Sequence, residues 1–415
     1  MIETLSDPAP TAHASSASGA ESKGCVQPDS RPTLLHFIYG IAGGGAETMM
    51  RNVVCQLDRN RWRIVVVAMQ TKAWPAAEEP LRLACDALHC LDEIALLSPR
   101  TLQKFLRILH HERPAIVQTW MHHADFVGGL LARWTGVPHV VWGIHCREIT
   151  QSPGESAIKS WLFRQLLPIA AKWVPSRIIS CSQTALEDHV QRRYPRAKMQ
   201  WIANGIDTLR FRPQPSAKLT LRETLCLPPS APLIGFLGRF HEMKNLPLLL
   251  QAFALLQSSL PSAQLALFGI LPDDLDETCR ALVEKLRFPH HLHFRPFHPN
   301  PESIYPALDL FTLSSRTEAC PMTIIEAMAC GLPCITTDVG DCSALIAESG
   351  LTVPAHDPTA LAHAWQQILT APAADTQSRS QAARTRASSH FSIQQAVSAY
   401  SALYASLIIH PASTS

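Results

Sequence analysis

From Leu34 onward the chain alternates between two hydrophobic rhythms. Short β-branched runs, "LLHFIYG", "RIVVVAM", "AIVQTW", "HVVWGI" and "RIISCS", are separated by stretches whose apolar residues recur at helical spacing. A second series follows: "PLIGFLG", "AQLALFG", "HLHF", "LDLFTLS" and "PCITTD". Strands separated by helices at this spacing predict parallel sheets covered by helices on both faces. Two series predict two sheets, with the break at 204–216, "NGIDTLRFRPQPS", where glycine, aspartate and prolines follow a strand-like "MQWI". The expected class is α/β, with two Rossmann-like domains facing each other across a cleft. Ligands of open parallel sheets bind outside the carboxyl ends of the strands, so the cleft is where chemistry is expected.

Length and charge narrow the function. A chain of 415 residues exceeds one ordinary core. Its formal net charge of +2, with no long basic block, creates no field that draws in nucleic acid. The twelve cysteines include no CxxC pair and read as reduced thiols of a cytosolic protein. The segment 1–31, rich in Ala, Ser and Pro, lacks the apolar stretch of a secretory signal and reads as a disordered tail. No run approaches the roughly 18–20 apolar residues of a membrane span, so any membrane contact would be peripheral.

Three segments carry candidate chemistry. "YGIAGGGAETMMRNVV" is a strand, a triple glycine at Gly43–Gly45 and a helix, which lets backbone approach a ligand and offers helix N–H groups to an anion or a sugar oxygen. It fails the dinucleotide fingerprint, since Thr48 stands at the third glycine position, and it lacks the Lys-Ser/Thr of a P-loop. A plain tight turn is the competing reading. "FLGRFHEMKNLPLLLQAF" places Arg239 just after a strand and Lys244 at a helix start. A forked guanidinium and a point-charge ammonium suit a diphosphate, although both could equally be solvated. "SSRTEACPMTIIEAMACGLPCITTDVG" holds two acids in an otherwise apolar setting, Glu318 in the loop after a strand and Glu326 on the second turn of a helix of about ten residues. Pro321 suits that helix's first turn and Gly331 its end. A carboxylate on a buried helix needs a partner such as a ribose diol or a cation, and the helix start at Pro321 and Met322 can present N–H groups to phosphate oxygens.

"GGGAETMM", "VVWGIH", "CSQTALEDHV", "NGID", "GRFHEMKN", "EACPMTIIEAMACGLPCITTDVGD" and "SGLTVPAHDPTALAHAW" occur in the order found in the group 1 glycosyltransferases, retaining enzymes with the GT-B fold, and the chain resembles that family from Leu34 to its end. The resemblance implies a nucleotide-diphosphate sugar donor, UDP- or GDP-linked, on a C-terminal domain, 206–390. It implies a glycan or lipid-linked acceptor on an N-terminal domain, 32–205, joined by a last helix, 391–409. Arg239 and Lys244 match the residues that neutralise the diphosphate, Glu326 the acid that grips the ribose, and Glu318 the acid facing the donor sugar. His145 matches a histidine near the reacting sugar, and Gly44 and Gly45 sit where the family's glycine loop meets the phosphates. No cofactor and no metal are expected, because Arg and Lys supply the positive charge. The setting implied is exopolysaccharide or lipopolysaccharide assembly, cytoplasmic or peripheral on the inner membrane face.

Departures from the family pattern are Ala319 and Asp341, where glycine is usual, and "ILPDDLDE" after "LALFG". Asp274 and Asp276 form a DxD, read as helix-start acids rather than metal ligands, and His291 and His293 could share a strand face. Ser156–Val174, apolar at helical spacing with Trp161, Trp173 and three basic residues, could pack on the core or lie in a bilayer interface, with Pro168 interrupting it. Two other functions fit the same residues: a nucleotide-sugar binding or scaffold protein without catalysis, and a nucleotide-sugar epimerase on the same fold.

Overall fold

The computed structural model describes residues 29–41, 43–70, 75–91, 97–147, 156–228 and 230–409, with side chains of 75–78 left aside. Most of the 1–31 segment therefore lies outside the described residues. Arg31 is already tied to the fold, its guanidinium donating to Asp86 Oδ1 at 3.1 Å.

The first sheet has seven strands: β1 (Thr33–Gly40), β2 (Arg63–Gln70), β3 (Ala87–Cys90), β4 (Ile116–Trp120), β5 (His139–Ile144), β6 (Arg177–Ser180) and β7 (Met199–Trp201), in the order β3-β2-β1-β4-β5-β6-β7. The second has six: β8 (Leu233–Leu237), β9 (Gln264–Phe268), β10 (Leu292–Arg295), β11 (Leu310–Leu313), β12 (Cys334–Thr337) and β13 (Leu351–Val353), in the order β10-β9-β8-β11-β12-β13. Every ladder pairing is parallel. In each sheet the chain reverses direction of growth beside its first strand, which opens a crevice at the carboxyl ends.

The pleat explains the continuous apolar runs. Along β2, Ile64, Val66 and Ala68 pack into one layer and Val65, Val67 and Met69 into the opposite one. The first of these layers is closed by the helix Gly45–Val54 and by the last helix, Ile393–Ile409, through Ile393, Ala396, Tyr400, Leu403, Tyr404 and Leu407. That helix is thus cut from the end of the sequence but completes the core of the first sheet, with Tyr404 Oη donating to Gln118 Oε1 at 3.2 Å.

At the carboxyl ends of β4 and β5 the interior turns polar. Asp125, on the helix His122–Trp134, accepts from Thr119 Oγ1 at 2.6 Å and from the Gly143 N–H at 3.1 Å. His189 Nδ1 lies 2.6 Å from the Ala185 carbonyl, so it carries the proton and leaves Nε2 to accept from His122 Nε2, 3.2 Å away. Trp120 Nε1 donates to His36 Nδ1 at 3.2 Å. Burial lowers the pKa of His36, His122 and His189 from 6.5 to about 3 each.

The two sheets are joined by named contacts. The carboxylate of Asp341, after β12, accepts from Gln183 N at 2.8 Å and Thr184 N at 3.0 Å, the first N–H groups of the helix Gln183–Gln191. Ser182 Oγ takes the third, from Ala185 at 3.0 Å. A helix start usually leaves such donors to water or to its own cap; here a residue from the other sheet satisfies two of them and places a negative charge on the helix dipole. Asn204 Nδ2 donates to the Cys320 carbonyl at 2.8 Å.

Two outcomes are expected from equilibrium unfolding. Asp341→Ala removes the acceptor of two part-buried N–H groups at a helix start and should lower stability by about 0.5–2 kcal/mol, whereas a loss below measurement error would mean that water replaces the carboxylate freely. The three histidines are neutral when folded and have depressed pKa values, so the unfolded chain binds more protons below about pH 6.5. Stability should be full above that pH and fall as pH drops from 6.5 toward 3, and a flat profile between pH 7 and 5 would contradict their burial.

Candidate functional site

The segment Ser314–Met322 connects β11 to the helix Met322–Ala329. The helix has eight residues, shorter than the ten expected, because Pro321 serves as its N-cap with extended backbone instead of opening its first turn. The loop before it is held along its whole length. Ser314 Oγ donates to the Lys244 carbonyl at 2.8 Å, and Thr337 Oγ1 to the Ser315 carbonyl at 2.6 Å. The Asp341 N–H donates to the Ala319 carbonyl at 3.1 Å. Gly340 has φ +56°, and a Cβ there would lie 2.0 Å from the Glu318 carbonyl oxygen, so only glycine permits this approach.

Inside that frame Glu318 Oε1 accepts from both Lys244 Nζ at 2.6 Å and Ser315 Oγ at 2.7 Å. The pair is largely shielded, with side-chain exposures of 24% for Lys244 and 14% for Glu318. Lys244 ends a single 3-10 turn, Glu242–Lys244, whose start is capped by His241 Nδ1 accepting from Met243 N at 3.2 Å. Arg239, just past β8, is exposed.

Glu326 lies on the second turn of the Met322–Ala329 helix and is buried. Its Oε2 accepts from Tyr305 Oη at 2.7 Å. Burial raises its pKa above the usual carboxylate value, while the Tyr305 hydroxyl and then Arg210 and Arg51 act in the opposite sense. Tyr305 went unnoticed in the sequence, because a tyrosine in a proline-rich turn carries no signal until the fold sets it against an acid.

The glycine segment reaches the same place from the first sheet. Gly44 caps the helix Gly45–Val54. A Cβ on Gly45 would be 3.8 Å from Met322 Cγ, and one on Gly43 would be 3.6 Å from the Phe297 ring. Glu47, in that helix's first turn, folds back against Gly44, and burial raises its pKa while Arg239 opposes the rise. Glu47 is therefore an acid near Arg239, one of the two predicted cations.

His145 follows β5. Its ring stacks on Trp120, with centroids 5.1 Å apart and planes at 25°. Both ring nitrogens are buried and have no hydrogen-bond partner among the described residues. Burial first, and then His122, lower its pKa to about 4, so the ring is neutral near pH 7. The structure thus joins Lys244 to Glu318 directly and sets Gly45 against Met322, while Glu326 and His145 stand apart from that pair, each with its own neighbours.

The competing motifs resolve into structure. Asp276 caps the helix Glu277–Glu284 by accepting from Cys279 N at 2.7 Å, and Asp274 accepts from Leu271 N at 2.8 Å. His291 ends a 3-10 turn, so it does not share a strand face with His293, which is on β10 and meets Gln264 Oε1 at 2.9 Å. Among the described residues no group of three or more His, Cys, Asp or Glu is arranged to hold a metal ion. Asp341, a departure from the family pattern, is the inter-sheet link described above.

Comparison with known proteins gives this geometry a family. A model of glycosyl transferases group 1 matches residues 231–371, and one of glycosyltransferase family 4 matches 43–210. The chain is 30% identical over 309 residues to D-inositol 3-phosphate glycosyltransferase 1 of Catenulispora acidiphila, covering 69% of this chain and 71% of that one. It is 32% identical over 218 residues to the lipopolysaccharide core biosynthesis mannosyltransferase LpsB of Rhizobium meliloti, covering 50% of this chain and 60% of that one. Among solved structures, Anabaena HepE in complex with UDP-glucose superposes with a TM-score of 0.77 at 19% identity, covering 90% of this chain and all of that one. Two family models matched in order, one on each parallel sheet, and a relative aligned over more than two thirds of its length place the chain in the group 1 glycosyltransferases, with the GT-B fold.

Proposed function

We propose that the protein moves a sugar from a UDP- or GDP-linked donor to a glycan or lipid-linked acceptor, with retention of anomeric configuration and without a metal ion. The setting that best suits it is exopolysaccharide or lipopolysaccharide assembly on the cytoplasmic face of the inner membrane. The observation that carries the reading is the Lys244–Glu318 pair at 2.6 Å, beside the start of a helix that also bears Glu326. The names of LpsB and of the Anabaena complex with UDP-glucose support the choice of substrate class.

In this reading 32–205 with 391–409 receives the acceptor and 206–390 holds the donor. Arg239 and Lys244 neutralise the diphosphate, whose oxygens also meet the N–H groups at the helix start after Pro321, at Met322, and the backbone at Gly44 and Gly45. Glu326, its orientation fixed by Tyr305, accepts from the ribose hydroxyls. Glu318 binds hydroxyls of the transferred sugar, and its contact with Lys244 sets the distance between sugar and diphosphate. His145, neutral, bonds a hydroxyl near the reacting carbon without carrying charge to it. The bond from the anomeric carbon to the β-phosphate oxygen breaks with its electron pair leaving on the phosphate. The acceptor oxygen attacks from the same face, and its proton passes to the departing phosphate oxygen. Two fixed cations at the leaving group supply the charge stabilisation that a metal provides elsewhere.

Transfer assays in the presence of chelator test these roles together. Lys244→Ala and Glu326→Ala should each lower turnover by roughly 10²–10³ while leaving the fold intact. Tyr305→Phe should raise KM for the natural donor but not for a donor lacking the ribose 2′- and 3′-hydroxyls. Near-normal transfer by folded Lys244→Ala or Glu326→Ala would remove that residue from the site. Formation of an isomeric nucleotide sugar without acceptor would assign an epimerase instead.

A further inference from the structure

The helix Ala157–Trp173 is turned the wrong way for a soluble surface. Its buried residues are Ser160, Leu167 and Ala171, whereas Ile158, Trp161, Leu162, Leu166, Ile169 and Trp173 face solvent. Trp161 is 57% exposed and Trp173 77%. Exposed apolar residues at 158, 162, 166, 169 and 173 recur at helical spacing, so they form one stripe. The neighbouring helix His122–Trp134 adds Leu130 and Trp134, one turn apart and also exposed. A contiguous apolar face of this kind marks an interaction surface.

Charge identifies the partner. The helix carries Lys159, Arg164 and Lys172 and no acid. Arg164 and Lys172, with Arg192 and Arg193 from the adjoining turn, line an open cavity of about 870 Å³ beside the stripe. Buried Tyr194 also lines this cavity, and its hydroxyl has no hydrogen-bond partner among the described residues. The far end of the helix is anchored by Lys198 Nζ, which donates to the Lys172 carbonyl at 2.7 Å and the Pro175 carbonyl at 2.8 Å. Pro168 lies inside the helix without ending it. Apolar residues, tryptophans and cations without acids on one exposed helix match the interface of a bilayer with anionic headgroups. A protein partner's apolar patch would not require a helix stripped of negative charge. Among the described residues no helix is long and apolar enough to cross a membrane, so this one would lie in its surface.

We infer that Ala157–Trp173 docks the protein on an anionic phospholipid bilayer, the apolar stripe entering the headgroup layer and the cavity cations binding lipid phosphates. The inference deepens the reading of a lipid-linked acceptor, yet docking is measured without donor or acceptor, so each can fail alone.

The test is sedimentation of the full chain with vesicles of phosphatidylcholine, with and without phosphatidylglycerol. Binding is expected only with phosphatidylglycerol and should weaken with added salt. Reversing three cations together (Lys159→Glu, Arg164→Glu, Lys172→Glu) should weaken it by roughly a hundredfold, at about fivefold per cation lost. Trp161→Ser with Trp173→Ser should weaken it at least tenfold while leaving the melting temperature measured without lipid unchanged. No binding to anionic vesicles, or equal binding by all variants, overturns the inference. So does a dimer of the parent chain, seen by analytical ultracentrifugation without lipid, that the tryptophan variant dissociates while still binding vesicles as the parent does, since the face then belongs to a second copy.

Discussion

The structure depends on holding one loop, Ser314–Pro321, in a single conformation. Its carbonyls are taken by Thr337, by the Asp341 N–H and by Asn204 from the other sheet, and its path requires the bare Cα of Gly340. Each bond contributes only about 0.5–1.5 kcal/mol. Together they remove the freedom that an isolated loop would have, which is what a site needs if it is to present a carboxylate within a fraction of an ångström. Because Asp341 also caps the Gln183–Gln191 helix, the same loop that fixes Glu318 fixes the contact between the two sheets.

Electrostatics divides the site into two zones. Lys244 and Glu318 retain some exposure and lie in contact, so their attraction is moderated by water and can be exchanged for contacts to a ligand. Glu326 and His145 are desolvated, and each is pushed toward its neutral form, the acid upward and the imidazole to about 4. In the proposed function, neutral or hydrogen-bonded groups there meet hydroxyls without stray charge, while Arg239 and Lys244 meet the diphosphate. This segregation suits transfer of a sugar away from an anionic leaving group.

Much of the fold was legible because buried parallel strands are written as continuous apolar runs, and eleven of those runs became strands, including "MQWI" as β7. β3, "ALHC", and β13, "LTV", escaped because four and three residues of mixed polarity have no period to read. The last helix was assigned to the N-terminal domain by the resemblance alone, since nothing in its own pattern names a partner that lies far away in sequence. Lys244 was legible as a cation at a helix start and Glu318 as an acid after a strand; that the two meet across 74 positions was not. Tyr305, Glu47 and the His36–Trp120 contact were invisible for the same reason, since their roles exist only when distant segments meet. Asp341 looked like a departure from pattern and proved to be an inter-sheet cap, a role no local rule assigns. Pro168 looked like a helix break and is tolerated on a half-buried face.

In the proposed mode of donor binding, two cations and a helix start read a diphosphate while Glu326 reads the ribose attached to it. The most direct measurement is calorimetric titration of the purified protein, in chelator, with uridine or guanosine mono- and diphosphates. One diphosphate should bind at least tenfold tighter than its monophosphate, since the second phosphate adds a charge-assisted contact of about 1.5–3 kcal/mol, and Lys244→Ala should abolish that difference. Equal affinity for mono- and diphosphate, or no binding of either at millimolar concentration, would contradict the account.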